Sequence, residues 1–148
     1  MMTAVVNASP LIQLEKIGRL HLLNDFFNTV YIPSAVIYEI QSLNLIQLTY
    51  TVLHVKDRNA ISGILHPLHI GEAEVIIGAK ELNADIVVLD DREARNRAKK
   101  FNINVVGTLG ILQRANKQGL IIDFMQAILF LRESGMYISD SLMKKLIM

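Results

Sequence analysis

The sequence predicts an α/β fold, a three-layer, doubly wound parallel sheet of about five strands with helices on both faces. Two observations carry this. Short apolar, β-rich runs that end at turn or cap residues alternate with helix-period segments along the chain, which is the pattern of strand–helix–strand units. One of the runs, "DIVVLD" at 85–90, is continuously apolar between its acidic ends, as expected of a strand buried on both faces of a parallel sheet. Crossovers in such sheets are right-handed, and ligands gather at the carboxyl ends of the strands where the strand order reverses.

The elements follow in order. "TAVVN" (3–7) is the first strand, with Ser9 as N-cap of the next helix and Pro10 at its first position, where a missing N–H costs nothing. "NTVYI" (28–32) is the second strand, and a helix runs from Pro33 to about Leu43 with Val36, Ile40 and Leu43 as its apolar stripe. "LTYTVLHV" (48–55) is the third strand, a helix begins near Ile70 and continues to Ala84, and 85–90 is the fourth strand. A helix at 92–101, a fifth strand at 103–107 and a helix at 108–120 complete a core of about 3–120, and two helices follow at about 123–134 and from Ser139 to about 147. No linker, repeat or low-complexity stretch interrupts the chain, so 1–148 reads as one domain.

Composition narrows the chemistry. With 51% apolar residues the chain has material for a sizeable core, and a net charge of +1 from interspersed acids and bases names no nucleic-acid partner in bulk. The absence of cysteine rules out disulfides and thiolate metal sites. No signal-like leader and no apolar run near the roughly 20 residues of a bilayer span occur, so a cytoplasmic, membrane-free location is expected. The mean hydropathy of +0.34 is high for a chain of this size, which favours a homodimer or a bound partner covering apolar surface.

Carboxylates are the candidates for chemistry. Asp90 and Asp91 directly follow "IVVL", so one of them stands at the sheet edge while the other is free to cap the next helix. Glu39 lies beside the apolar stripe of its helix, where a salt bridge at the core edge is the plainer alternative, and Glu72 sits in a first helical turn, where an acid complements the macrodipole. Carboxylates brought together repel one another unless a cation sits among them, and a hard, oxygen-preferring ion such as Mg²⁺ or Mn²⁺ suits them. His21, His54, His66 and His69 show no paired ligand spacing, so zinc is not favoured.

With "VVNASPLI", "IPSAVIYEI", "IGEAEVIIGAKELNADIVVLDD" and the "GTLGIL" segment in view, the chain resembles PIN domains, in particular small prokaryotic proteins related to the VapC toxins of type II toxin–antitoxin systems. The resemblance covers roughly residues 3–120. It implies Mg²⁺- or Mn²⁺-dependent hydrolysis of RNA phosphodiester bonds, with Glu39, Glu72 and Asp90 as metal ligands, Asp91 as an outer or second-metal ligand, and a small antitoxin as partner. At the place of the family's first acid stands Asn7, a neutral oxygen donor that lowers the charge of the cluster. A catalytically silent PIN domain acting by binding is the alternative.

For RNA contacts the sequence offers Arg92, Arg95 and Lys99 on the helix leaving the acid pair, together with Ser9. A solvated basic helix face is the plainer use of those cations. A phosphoacceptor receiver domain also carries an acid pair at a strand end, but "VVNA" lacks its first-strand acid and "VVGT" lacks its lysine. The C-terminal apolar stripe, with Met125, Ile128 and Leu131, is expected to pack on the core.

Overall fold

The computed structural model describes residues 2–147. Met1 and Met148, the outermost positions of the expected 1–148 domain, lie outside the described residues. Five strands form one sheet, β1 (Thr3–Val6), β2 (Thr29–Pro33), β3 (Thr51–Leu53), β4 (Ile86–Val88) and β5 (Asn104–Val106), in the order β3-β2-β1-β4-β5 with every pair parallel. The chain winds outward from β1 to β3, crosses back to β4 on the other side of β1, and ends the sheet at β5. The reversal therefore falls between β1 and β4, where Val6 is in register with Val88.

Burial follows position in the sheet. Ala4, Val5, Val6, Val87 and Val88 are fully buried, whereas Thr51 and Val52 of the edge strand β3 and Asn104 of β5 are exposed. That is what apolar runs in the middle and mixed runs at the edges should give. The helices are α1 (Ala8–Lys16), α2 (Leu22–Phe26), α3 (Ser34–Glu39), α4 (Arg58–Ile64), α5 (Ile70–Leu82), α6 (Arg92–Lys100), α7 (Thr108–Lys117), α8 (Phe124–Glu133) and α9 (Asp140–Ile147). Residues 71–79 of α5 are all buried, and α5 packs on β1, β2 and β4 with α3, α4 and α6 around it. A helix covered on every side needs apolar residues all round, and "GEAEVIIGA" supplies them apart from two glutamates. The left-handed Asn83 (φ 53°) ends it.

Several local expectations are corrected. Asn7, not Ser9, occupies the N-cap position of α1, so Pro10 is the third helical residue, still within the turn whose N–H groups lack partners. α3 stops at Glu39 instead of Leu43, and the third and fourth strands span three residues each. α2 and α4 occupy stretches read as connections. Ser139 caps α9, its hydroxyl accepting from the Leu142 N–H at 3.1 Å. Among the described residues no helix is long and apolar enough to cross a membrane.

Candidate active site

The loops after β1 and β4 lead into α1 and α6, and a cleft of about 980 Å³ lies at this end of the sheet. Asn7, Ser9, Glu72, Asp90, Asp91, Arg92 and Arg95 line it. Asn7 is buried, 6% exposed, and its N–H donates to the Val88 carbonyl at 3.1 Å, continuing the sheet one residue past β1. Although it holds the N-cap position, its side chain makes no capping bond. That leaves the amide to the cleft.

Among the acids lining the cleft, Asp90 is the most firmly held. Ser9 Oγ donates to its Oδ2 at 2.8 Å, Thr108 Oγ1 donates to the same oxygen at 2.7 Å, and the Thr108 N–H donates to Oδ1 at 2.8 Å. Donors from the starts of α1 and α7 thus fix a carboxylate two residues beyond β4. Arg95 stands beside it, Nη1 donating to the Leu89 carbonyl at 2.9 Å. Gly107 makes the approach feasible, since a Cβ there would lie 2.7 Å from Arg95 Nη1 and 3.0 Å from Asp90 Oδ1.

The other acids are arranged differently. Asp91 caps α6, accepting from the Ala94 N–H at 3.0 Å. Glu72 is 8% exposed and accepts from the His69 N–H at 3.0 Å at the start of α5. Burial raises its pKa above the ordinary carboxylate value, opposed by the His69 bond and helped by the charges of Asp91 and Glu93. Glu39 is exposed and lies outside the cleft lining, but its carboxyl reaches the start of α5, where a Cβ on Gly71 would fall 2.1 Å from its Oε1. Partial desolvation raises its pKa too, opposed by His69 and reinforced by Glu72.

The fold therefore gathers Asn7, Glu72, Asp90 and Asp91 at one cleft, with Glu39 behind Glu72. Among the described residues no three Asp, Glu or His side chains converge closely enough to form a metal cage by themselves. The donors nevertheless fit a hard cation. They are all oxygens, Mg²⁺ is commonly held by one or two carboxylates plus waters, and the mutual repulsion around Glu72 is what a cation relieves. Of the expected RNA-contact residues, Arg92 and Arg95 line the cleft, Ser9 is bonded to Asp90, and Lys99 is exposed away from the lining.

Thr108 was not among the expected site residues, although a threonine directly after "VVG" stands at a strand's carboxyl end just as Asn7 and Asp90 do. Gln13 and Gln113, and Met136 and Tyr137 from the segment between α8 and α9, also line the cleft. Their sequence surroundings carry no such signal. A second buried acid, Glu74, belongs to the scaffold. It is 2% exposed, pairs with Arg58 Nη1 at 2.7 Å and accepts from the Ala35 N–H at 3.0 Å, tying α5 to α4 and to the start of α3.

A family model described as a PIN domain matches residues 3–148, so the likeness extends beyond 120 through the C-terminal helices. A solved PilT N-terminus domain protein from the hyperthermophilic archaeon Sulfolobus solfataricus P2 shares the fold at 20% identity and a TM-score of 0.56, over 77% of this chain and 93% of that one. No curated protein matches the sequence.

Proposed function

The chain belongs to the PIN domain family, and from that premise we propose that it is a divalent-metal-dependent endoribonuclease acting at the cleft between β1 and β4. PIN domains are generally nucleases that depend on divalent metal and bind RNA. The observation that supports the reading best is the meeting of Asp90, Glu72, Asp91 and Asn7 at the switch point of the sheet, with Asp90 oriented by Ser9 and Thr108.

In this reading Asp90 and Glu72 hold Mg²⁺ or Mn²⁺, with the Asn7 carbonyl oxygen, Asp91 and, behind Glu72, Glu39 completing its surroundings directly or through waters. Such an ion supplies an activated water and neutralises charge that builds on the phosphodiester. The chain's own work is positional. Ser9 and Thr108 hold the Asp90 carboxylate in one orientation, Arg92 and Arg95 hold the RNA phosphate, and Lys99 extends the basic track along α6.

The test is cleavage of a mixed structured RNA by wild type and Asp90→Ala, each with Mn²⁺, with Mg²⁺ and with chelator. Metal-dependent cutting by wild type alone upholds the proposal. Equal cutting by Asp90→Ala places the chemistry elsewhere. The second reading, a silent PIN domain that binds RNA or a protein, is favoured by the neutral Asn7, and activity gained only in Asn7→Asp would select it.

The proposal extends to the toxin of a type II pair, neutralised by a small antitoxin, and to a homodimer. Exposed Ile122 (98%) and Phe130 (50%), at the turn before α8 and on α8, are apolar surface that a second chain would cover. A chain that sediments as a monomer at all concentrations removes the dimer.

A further inference from the structure

The hydrogen bonds on Asp90 decide how many cations it can serve. An ionised carboxylate has about four acceptor positions, two on each oxygen. On Oδ2 both are filled, by Ser9 Oγ at 2.8 Å and by Thr108 Oγ1 at 2.7 Å. On Oδ1 the Thr108 N–H fills one, at 2.8 Å. A single position stays open, on Oδ1. Glu72 and Asp91 each have one oxygen engaged at a helix start, so among the described residues no carboxylate lining the cleft has both oxygens free to join two ions.

Beside that open position stands a resident cation. A Cβ at residue 107 would lie 3.0 Å from Asp90 Oδ1 and 2.7 Å from Arg95 Nη1, so both atoms border the small gap that Gly107 leaves. Arg95 is half-buried, and the Leu89 carbonyl pins it by accepting from Nη1 at 2.9 Å. It forms no ion pair among the described residues, so no single acid cancels its charge. Arg92 and Arg95 together offset two of the three lining acids, Glu72, Asp90 and Asp91, and Asn7 adds no charge. One divalent ion outweighs the remainder. A second would enter a cleft that had already turned positive.

We propose that the cleft takes one divalent cation and not two, at Asp90 Oδ1, and that the Arg95 guanidinium is the second positive centre facing the RNA phosphate. Paired ions in nuclease sites lie about 3.5–4 Å apart, close enough that a shared carboxylate must screen one from the other. Asp90 with a single open position cannot be shared, and the neutral Asn7 does not stand in for it. A guanidinium fixed along one edge keeps its remaining N–H donors for a phosphate oxygen. The inference rests on the nuclease reading of the same cleft and specifies how its positive charge is divided between ion and protein.

The experiment titrates Mn²⁺ into wild type, Arg95→Gln and Arg95→Lys, reading the free aquo ion by its EPR signal, and then measures Mn²⁺-dependent RNA cleavage by the same proteins. Wild type is expected to bind a single equivalent, a result that depends on no variant's folding. Arg95→Gln is expected to bind the ion severalfold tighter, because a positive charge beside the site is gone, and yet to cleave about tenfold more slowly or worse. Arg95→Lys keeps the charge and is expected to bind Mn²⁺ as wild type does. An arginine that only braced the Leu89 carbonyl would give the opposite sign, with the ion held more loosely once it is replaced. Two equivalents on wild type, or an Arg95→Gln protein that binds Mn²⁺ no tighter, overturns the inference and leaves the nuclease reading standing. One equivalent, tightened in Arg95→Gln, without any metal-dependent cleavage by wild type supports the single-ion site and overturns the nuclease reading instead.

Discussion

Thr108 grips Asp90 with two groups at once, its N–H on one carboxylate oxygen at 2.8 Å and its hydroxyl on the other at 2.7 Å. The threonine is fully buried, and its two bonds to the partly buried carboxylate fix the carboxylate's rotation. Thr108→Val keeps the shape and the N–H but removes the hydroxyl. Its expected stability cost is about 1 kcal/mol, while Mn²⁺ affinity and cleavage fall about tenfold or more, as when a group that orients a metal ligand is lost. Urea unfolding and a Mn²⁺ titration of cleavage rate separate the two. A variant that loses stability alone would show that Ser9 suffices to orient Asp90.

Gly71 makes room for Glu39. A Cβ at residue 71 would lie 2.1 Å from the Glu39 Oε1, so Gly71→Ala must displace that carboxyl. Glu39 is exposed and free to swing into solvent, so the stability cost is expected to be small. If Glu39 contributes to cation binding, Gly71→Ala weakens Mn²⁺ affinity about as much as Glu39→Ala does, and the double variant is no worse than either. Additive losses would show that residue 71 acts by another route.

The fold was legible because its strands announce themselves. Five apolar runs with capped helices between them leave few topologies, and the acids at the ends of those runs fall at the sheet edge whatever the loop details. The elements left out are short and locally ambiguous. α4 is seven residues, buries Ile61 and Ile64 alone, and starts in "DRNAIS", which lacks a helical apolar period; its Asp57 cap becomes evident only from the Ala60 N–H bond at 3.0 Å. α2, five residues long, has its start fixed by bonds to the preceding turn. In the site, Asn7 and Asp90 follow from strand ends alone, whereas the presence of Gln13 or Tyr137 in the cleft lining depends on which distant segments the fold packs side by side. The Asp90–Ser9 bond spans 81 residues, and no local pattern encodes such a contact.

Glu74 secures the scaffold under the site. Its carboxylate is nearly fully buried and accepts from Arg58 at 2.7 Å and from the Ala35 N–H at 3.0 Å. Glu74→Ala leaves the start of α3 without its acceptor and Arg58 without its partner. Arg58 is half exposed, so it regains water and the expected cost is about 2–3 kcal/mol. Glu74→Gln keeps an oxygen for Ala35 and is expected to lose less. Denaturant midpoints would check both, and a Gln variant no better than Ala would point to the charge pair as the main contribution.

The raised pKa values of Glu39 and Glu72 fix a pH dependence of stability. Burial comes first for both; the charge of Glu72 adds to it at Glu39, and the charges of Asp91 and Glu93 add to it at Glu72. Folded groups with raised values bind more protons than the unfolded chain does. Their contribution is therefore fully present below the ordinary 4.5 and is lost as pH rises through the folded values. The whole chain contributes to stability at every pH, so the informative quantity is a difference between proteins. In chelator, Glu72→Gln should gain in thermal midpoint relative to wild type as the pH is raised from 4.5 to neutrality, because glutamine cannot acquire the unfavourable charge. Mn²⁺ should then raise the wild-type midpoint more than the variant's, since the cation neutralises the charge that only wild type carries. A gap that shrinks with rising pH would contradict the raised Glu72 value. A gap that widens but does not respond to Mn²⁺ would mean that the repulsion around Glu72 is a feature of the scaffold and that the cation is held by Asp90 without it.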